Sequence, residues 1–176
     1  MELKQIIAKR RSIRKFIDKP IEAEVLDRVL SLTLDAPSSR NSHSTRLMVV
    51  SGKANMEHIA AMRDYGSSFV ASAPMAILVM GDRSTTDLWS VNCSISATTL
   101  QLVCVDEGLS SCWVHVDGRP HKQAEADGKT AEEHLREMLP IPDDCSVLCA
   151  VAVGYSDFEP KPLPEFDKAQ MVSFVG

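Results

Sequence analysis

The sequence is short of several features that would settle its class at once, and each shortage excludes something. Its five cysteines, Cys93, Cys104, Cys112, Cys145 and Cys149, form an odd set without a CxxC pair. That pattern speaks for reduced, buried thiols of the cytosol and against a disulfide framework or a zinc site. The opening MELKQIIAKRR holds no apolar run of signal-peptide length, and its basic residues follow the first apolar ones, so secretion is not expected and a cytoplasmic protein is. No long stretch is purely apolar. Even the eighteen uncharged residues between Asp87 and Asp106, LWSVNCSISATTLQLVCV, include seven Ser, Asn, Thr or Gln, too many for a lipid-exposed helix. Positive charge is not in excess either: the net charge is −5 and aromatics make up 5% of the chain, so a nucleic-acid partner is not expected. There is no internal repeat and no stretch with the composition of a linker.

What remains is 176 residues with 44% hydrophobic and 24% charged side chains, enough for one core and one domain over residues 1–176. Charge is unevenly spread. Residues 1–20 carry Lys4, Lys9, Arg10, Arg11, Arg14, Lys15 and Lys19 against Glu2 and Asp18, which leaves the other residues with a net charge of −10. One concentrated basic segment in an acidic chain suits a small anionic ligand held locally better than a polyanion.

Periodicity predicts alternating layers. Leu3, Ile6 and Ile7 predict a short amphipathic helix, and Ile21 to Leu34 a second one ending before Pro37. Strand-length apolar runs lie at Leu47–Ser51, Met75–Gly81, Cys112–Val116 and Val147–Tyr155, with helical stretches near Asn55–Arg63 and Thr130–Met138. The uncharged stretch before Asp106 reads as a helix buried on nearly all sides, and because so small a domain rarely encloses a helix alone, part of it is expected to pack against a second copy of the chain. FEPKPLPEF, residues 158–166, holds three prolines in nine residues and predicts an extended arm over 156–176 lying on a surface, that of the partner being a candidate.

Three segments could carry chemistry. In Arg10-Arg11-Ser12-Ile13-Arg14, guanidinium forks and a hydroxyl can surround a phosphate, while alternation sends Ile13 to the core and puts Ser12 and Arg14 on one face. The alternative is a solvated basic face. Ala36-Pro37-Ser38-Ser39-Arg40-Asn41-Ser42 joins a helix to a strand and is rich in short polar groups able to meet the edge of a heterocycle, or is an ordinary loop. Gly108 to His115 runs from the long helix into a strand, where Trp113 and His115 read first as core and hydrogen-bonded structure. Cys112 and His115 point to opposite faces of a strand, a poor arrangement for cysteine catalysis.

In this order the segments resemble the nitroreductase family of FMN-dependent oxidoreductases in its short form. The likeness is carried by RRSIRKF at 10–16 and the helix after it, APSSRNS at 36–42 leading into RLMVVSG, ASAPMAILVMGD at 71–82, the uncharged helix ending in EGLSSCW, and CAVAVGY at 149–155 before a proline-rich tail. The resemblance implies an α+β, three-layer fold with a mainly antiparallel central sheet flanked by helices, in an intertwined homodimer with FMN sites at the subunit interface. It implies that Arg10, Arg11, Ser12 and Arg14 hold the FMN phosphate and pyrimidine side, that Pro37, Ser38, Ser39 and Asn41 of the other subunit line the ring, and that Val114 and His115 bring backbone amides near N5. The implied activity is ping-pong transfer of electrons from NAD(P)H through FMN to a small electron-poor acceptor such as a nitroaromatic or quinone, with no protein acid or nucleophile required. A flavin-binding module without turnover is the alternative. Two departures stand out: after Asn41 the family usually continues Ser-Gln-Pro-Trp where this chain has Ser42-His43-Ser44-Thr45, and its C-terminal arm offers arginine where this chain has Leu163 and Glu165, with Lys161 the nearest cation.

Overall fold

A computed structural model describes residues 1–176. Five helices and four strands follow in chain order: α1 Leu3–Lys9, α2 Ala23–Leu34, β1 Thr45–Ser51, α3 Lys53–Ala60, β2 Met75–Asp82, α4 Trp89–Asp106, β3 Ser110–His115, α5 Ala131–Arg136 and β4 Cys145–Gly154, with 3-10 turns at Ser39–Asn41, Ser68–Ser72 and Lys168–Gln170. The strands form one sheet in the order β1-β2-β4-β3, every pairing antiparallel. This makes β1 and β3 the two edges. The central strands β2 and β4 are buried on both faces almost throughout, which is why their sequences are continuous apolar runs rather than alternating ones.

Two apolar clusters, one on each face of the sheet, complete three layers. On one face Val50, Leu78, Met80, Val114 and Ala150 pack with Met56 and Ile59 of α3 and Leu135 of α5. On the other, Ile77, Val79, Val151 and Val153 pack with Val29 of α2 and with Cys93, Ala97, Leu100 and Cys104 of α4. The fold is therefore the α+β, three-layer arrangement expected. The five cysteines are free and buried. No helix is long and apolar enough to cross a membrane.

The long helix α4 ends in a way that sets up β3. Gly108 adopts φ +76°, the Leu109 N–H donates to the Cys104 carbonyl at 2.7 Å and the Gly108 N–H to the Val105 carbonyl at 3.2 Å. This paired closure around a left-handed glycine reverses the chain within a few residues and tucks Leu109 into the core. Boundaries differ from expectation where distant side chains intervene. The third helix starts at Lys53, after Gly52 at φ +89°, and stops at Ala60, whose carbonyl accepts from the Ser67 hydroxyl at 2.7 Å. Strand β4 begins at Cys145 because Arg136 donates to the Cys145 carbonyl at 2.6 Å and Glu132 accepts from the Val147 N–H at 3.0 Å.

Candidate functional site

Residues 10–16 lie along the outer side of β3. Ser12 and Ser111 form a parallel bridge, and the Ile13 N–H donates to the Ser111 carbonyl at 3.0 Å. Alternation holds: Ile13 is 6% exposed, while Ser12 and Arg14 face outward. Burial pushes the Cys112 thiol up, against a smaller downward pull from Arg14, Ser12 and Arg10. Arg11 turns back to cap α1, donating to the Ala8 and Arg10 carbonyls at 2.6 and 2.8 Å, and Arg14 lies over the Phe69 ring at 5.7 Å.

Arg10, Arg11 and Arg14 have no carboxylate partner, as Arg40, Arg63, Arg83 and Arg119 have none, but only here do three such groups fall within five residues. Arg28, Arg46 and Arg136 each pair with a carboxylate, at 2.8, 3.5 and 2.7 Å. The hydrogen bonds of Arg11 and Arg14 go only to carbonyl oxygens, and no carboxylate lies within ion-pair distance of Arg10, Arg11 or Arg14. Two polar atoms beside them, Arg11 Nε and Ser111 Oγ, are buried with no hydrogen-bond partner. Buried polar groups are rarely left so. Both residues line a cleft of about 650 Å³ together with Lys9, Ile13, Gly108 and Glu159, and Arg10, Ser12 and Arg14 lie outside it on the same edge of the sheet. Guanidinium groups without carboxylate partners along one edge, with unmatched donors beside them, suit an oxygen-rich anion such as a phosphate monoester.

At the other end of β3, Val114 is 3% exposed, so only its backbone is available to a ligand. His115 is half-buried, its ring stacked on Trp113 at 6.2 Å, and its carbonyl accepts from Arg63 at 3.0 Å. Burial, with Arg119 next, holds its imidazole below the ordinary histidine value, which favours the neutral ring.

The segment Pro37, Ser38, Ser39 and Asn41 sits at the opposite edge of the sheet, where it leads into β1. Across the sheet the two edge strands are three spacings apart, roughly 14 Å. Along α4 the separation is larger: Asn92 contacts this loop and Val105 lines the arginine cleft, thirteen residues of helix or roughly 20 Å. The structure thus groups Arg10, Arg11, Ser12, Arg14, Val114 and His115 on one edge, and holds Pro37, Ser38, Ser39 and Asn41 apart from them within the protomer.

The loop is built on uncommon backbone. Arg40, Asn41 and His43 adopt φ of 50°, 53° and 47°, left-handed values for residues other than glycine. Each costs on the order of 1 kcal/mol or more, least for Asn. The side chain that holds this geometry is one the sequence did not single out. Asn92, 1% exposed near the start of α4, accepts from the Ser39 N–H at 2.9 Å and donates toward the hydroxyls of Ser39, Ser42 and Ser44 at 3.1, 3.1 and 2.9 Å. An apolar groove of about 500 Å³ opens beside the loop, lined by Leu30, Leu34, Ala36, Ser38, His43 and Val49 among others.

The arm starts near the arginines: the Ser156 hydroxyl donates to the Lys15 carbonyl at 2.6 Å, and Lys15 lies over Phe158 at 5.2 Å. Beyond that it is exposed, Phe166 to 73% and Phe174 to 91%, and Leu163 and Glu165 bring no arginine to the cleft.

The family model described as Nitroreductase family matches residues 7–63 and 54–155, nearly the whole ordered core. An FMN-dependent nitroreductase from Clostridium difficile R20291 has the same fold with a TM-score of 0.88 and 35% identity, over 96% of each chain. A crystal structure from Parabacteroides distasonis, provisionally named NADH dehydrogenase/NAD(P)H nitroreductase, also gives 0.88, at 25% identity over 100% of this chain and 99% of its own. A protein of Methanothermobacter thermautotrophicus with the same provisional name is 27% identical across 95% of this chain and 84% of its own length.

Proposed function

The chain belongs to the nitroreductase family and is an oxidoreductase on that ground, and we propose that it binds FMN at a subunit interface and passes electrons from NAD(P)H to a small electron-poor acceptor. The C. difficile relative is named as FMN-dependent and the archaeal one as acting with NAD(P)H, which supports both cofactor and donor. The observation that carries the reading is the edge at β3: Arg10, Arg11 and Arg14 without carboxylate partners, beside the orphaned Arg11 Nε and Ser111 Oγ. One phosphate monoester, carrying about −1.5 to −2 charges near pH 7, matches that deficit.

In this reading Arg10, Arg11, Ser12 and Arg14 fix the phosphate and the pyrimidine side, the backbone of Val114 and His115 meets the ring near N5, and Pro37, Ser38, Ser39 and Asn41 of a second copy close over it. The two halves face opposite edges of one protomer, so a two-fold dimer that sets the β1 edge of one copy against the β3 edge of the other completes two equivalent sites. Surface left open on the single chain supports such a dimer: Val91 on the outer side of α4, Leu34 and Val49 beside the apolar groove, and Phe166 and Phe174 on the arm. The single domain of residues 1–176 thereby extends its arm, residues 156–176, over its partner.

When bound, FMN supplies hydride transfer, and the protein supplies orientation and electrostatics. His115, biased toward the neutral ring, and buried Cys112 are poor candidates for a charged acid or a thiolate nucleophile, which fits chemistry carried by the cofactor. NAD(P)H and acceptor then occupy one open face in turn, the ping-pong order. An absorbance spectrum before and after anaerobic NAD(P)H tests this. A yellow protein that bleaches on NAD(P)H and recovers on adding a quinone is expected; a protein that takes up no FMN overturns the reading. The changed Ser42–Thr45 segment favours one second reading, an FMN-binding module without turnover, which would stay yellow with NAD(P)H.

A further inference from the structure

The loop that carries Ser38, Ser39 and Asn41 is held in shape only in part by its own hydrogen bonds. Three of its residues sit at left-handed φ without being glycine, and the 3-10 turn Ser39–Asn41 supplies only the Asn41 N–H to Ser38 carbonyl and Ser42 N–H to Ser39 carbonyl bonds, each at 3.0 Å. The His43 N–H also donates to Ser38 Oγ at 3.0 Å, and from β1 and β2 Arg46 donates to the His43 carbonyl at 2.7 Å and the Asp82 N–H to the Ser44 carbonyl at 2.9 Å, but the largest set of contacts from outside the loop converges on one side chain. Asn92 binds a backbone N–H and three serine hydroxyls spread over residues 39 to 44, and it is itself 1% exposed. An amide has one oxygen acceptor and two N–H donors, so every polar atom of Asn92 is committed to this loop. A buried amide whose oxygen and nitrogen both bond only to one strained loop does more than fill space. Strained backbone persists only where its surroundings over-determine it.

We propose that Asn92 is the positioning residue of the site, clamping residues 38–44 in the strained conformation that presents Ser38, Ser39 and Asn41 to a flavin ring held by the partner subunit. This rests on the FMN reading above. Asn92 touches neither the arginine cleft nor the arm, so its effect reaches the cofactor only through the loop.

Two substitutions separate clamping from mere packing. Asn92→Ala removes the acceptor and both donors. Asn92→Asp keeps an acceptor for the Ser39 N–H, and the three serine hydroxyls can turn to donate to the carboxylate, so the clamp reforms. The experiment titrates FMN into flavin-free parent and variants, reading flavin fluorescence and the visible spectrum at a temperature where circular dichroism shows each one folded. Asn92→Ala is expected to weaken FMN binding at least about tenfold and to broaden the visible band toward that of free flavin, with Asn92→Asp within about threefold of the parent. Loss of packing alone would lower the melting midpoint and leave affinity and spectrum unchanged. The proposal is overturned if Asn92→Ala binds FMN as tightly as the parent, or if Asn92→Asp is as weak as Asn92→Ala. Should Asn92→Ala fail to fold, the double substitution Ser42→Ala, Ser44→Ala, which leaves one hydroxyl for the two Asn92 N–H donors, takes its place and is expected to weaken FMN about threefold; no change there overturns the proposal. If the parent itself takes up no FMN, it is the cofactor reading that fails.

Discussion

The two halves of the site are made by opposite means. Residues 10–14 supply charge on regular backbone: extended chain bridged to β3, Ile13 buried, and guanidinium groups left without carboxylates. Residues 37–44 supply neutral hydroxyls and amides on strained backbone, with φ near +50° at Arg40, Asn41 and His43 and a clamp from Asn92. In the proposed reading one half attracts an anion and the other shapes a surface. Charge acts at a distance and tolerates small errors in geometry, whereas a contact surface for a planar ring does not. The arginine half should therefore govern whether the cofactor binds at all, and the loop half how it sits.

The largest expected effect follows from the first half. Replacing Arg10 and Arg14 together by Gln removes two charge-assisted partners worth about 1.5–3 kcal/mol each, or roughly 10²–10⁴-fold in affinity if the two act independently. Flavin should be lost on dialysis, and Arg14→Ala alone should weaken binding at least about tenfold. Fluorescence titration checks both. An Arg10→Gln, Arg14→Gln protein that stays yellow through dialysis would break the comparison by showing that the anion is held elsewhere.

This difference also explains what could be read before the structure. The alternation of Ser12, Ile13 and Arg14 is local, and so is the apolar continuity of β2 and β4; both appear in the chain as expected. The clamp is not local. Asn92 lies about fifty residues from the serines it binds, inside a run whose only visible signal was an excess of small polar residues, which pointed to close packing in general and not to that loop. Nor does Arg40, Asn41 or His43 announce a left-handed backbone as a glycine would. The starts of β4 and the end of α3 escaped for the same reason: Arg136, Glu132 and Ser67 act from elsewhere in the sequence.

A medium effect tests whether the halves belong to different protomers. Arg14→Ala damages one half and Asn92→Ala the other, and each alone impairs both sites of a homodimer. In a mixed dimer one site carries both substitutions and the other carries neither. Random re-pairing of equal amounts makes half the dimers mixed, so about a quarter of all sites should regain parental FMN affinity. Titration after co-refolding reads that fraction directly. If no tight sites return, both halves of each site come from the same chain, and the separation across the sheet has been misread.

The smallest effect concerns a region that contrasts with both halves. On the α3 and α5 side, the His134 ring stacks between His58 at 4.2 Å and His121 at 4.6 Å; its Nε2 faces the His58 carbonyl at 3.1 Å, its Nδ1 faces Lys129 Nζ at 3.3 Å, and Lys129 also pairs with Glu137 at 2.5 Å. A ring that donates at Nε2 and accepts an ammonium proton at Nδ1 is neutral. Burial foremost, then His58, Lys129 and His121, hold its pKa below the ordinary 6.5, against the pull of the His58 carbonyl. The unfolded chain therefore binds the proton more readily than the folded one. Stability from this group is present above about pH 6.5 and is lost as pH falls through the depressed value. His134→Gln keeps a donor for the His58 carbonyl and an acceptor for Lys129 but cannot titrate. Its unfolding midpoint should fall less than the parent's between pH 7.5 and pH 5, in urea titrations at each pH. At pH 7.5 its FMN affinity should equal the parent's, because the stack meets neither the arginine cleft nor the clamped loop; a loss of flavin there would join this region to the site and end the contrast.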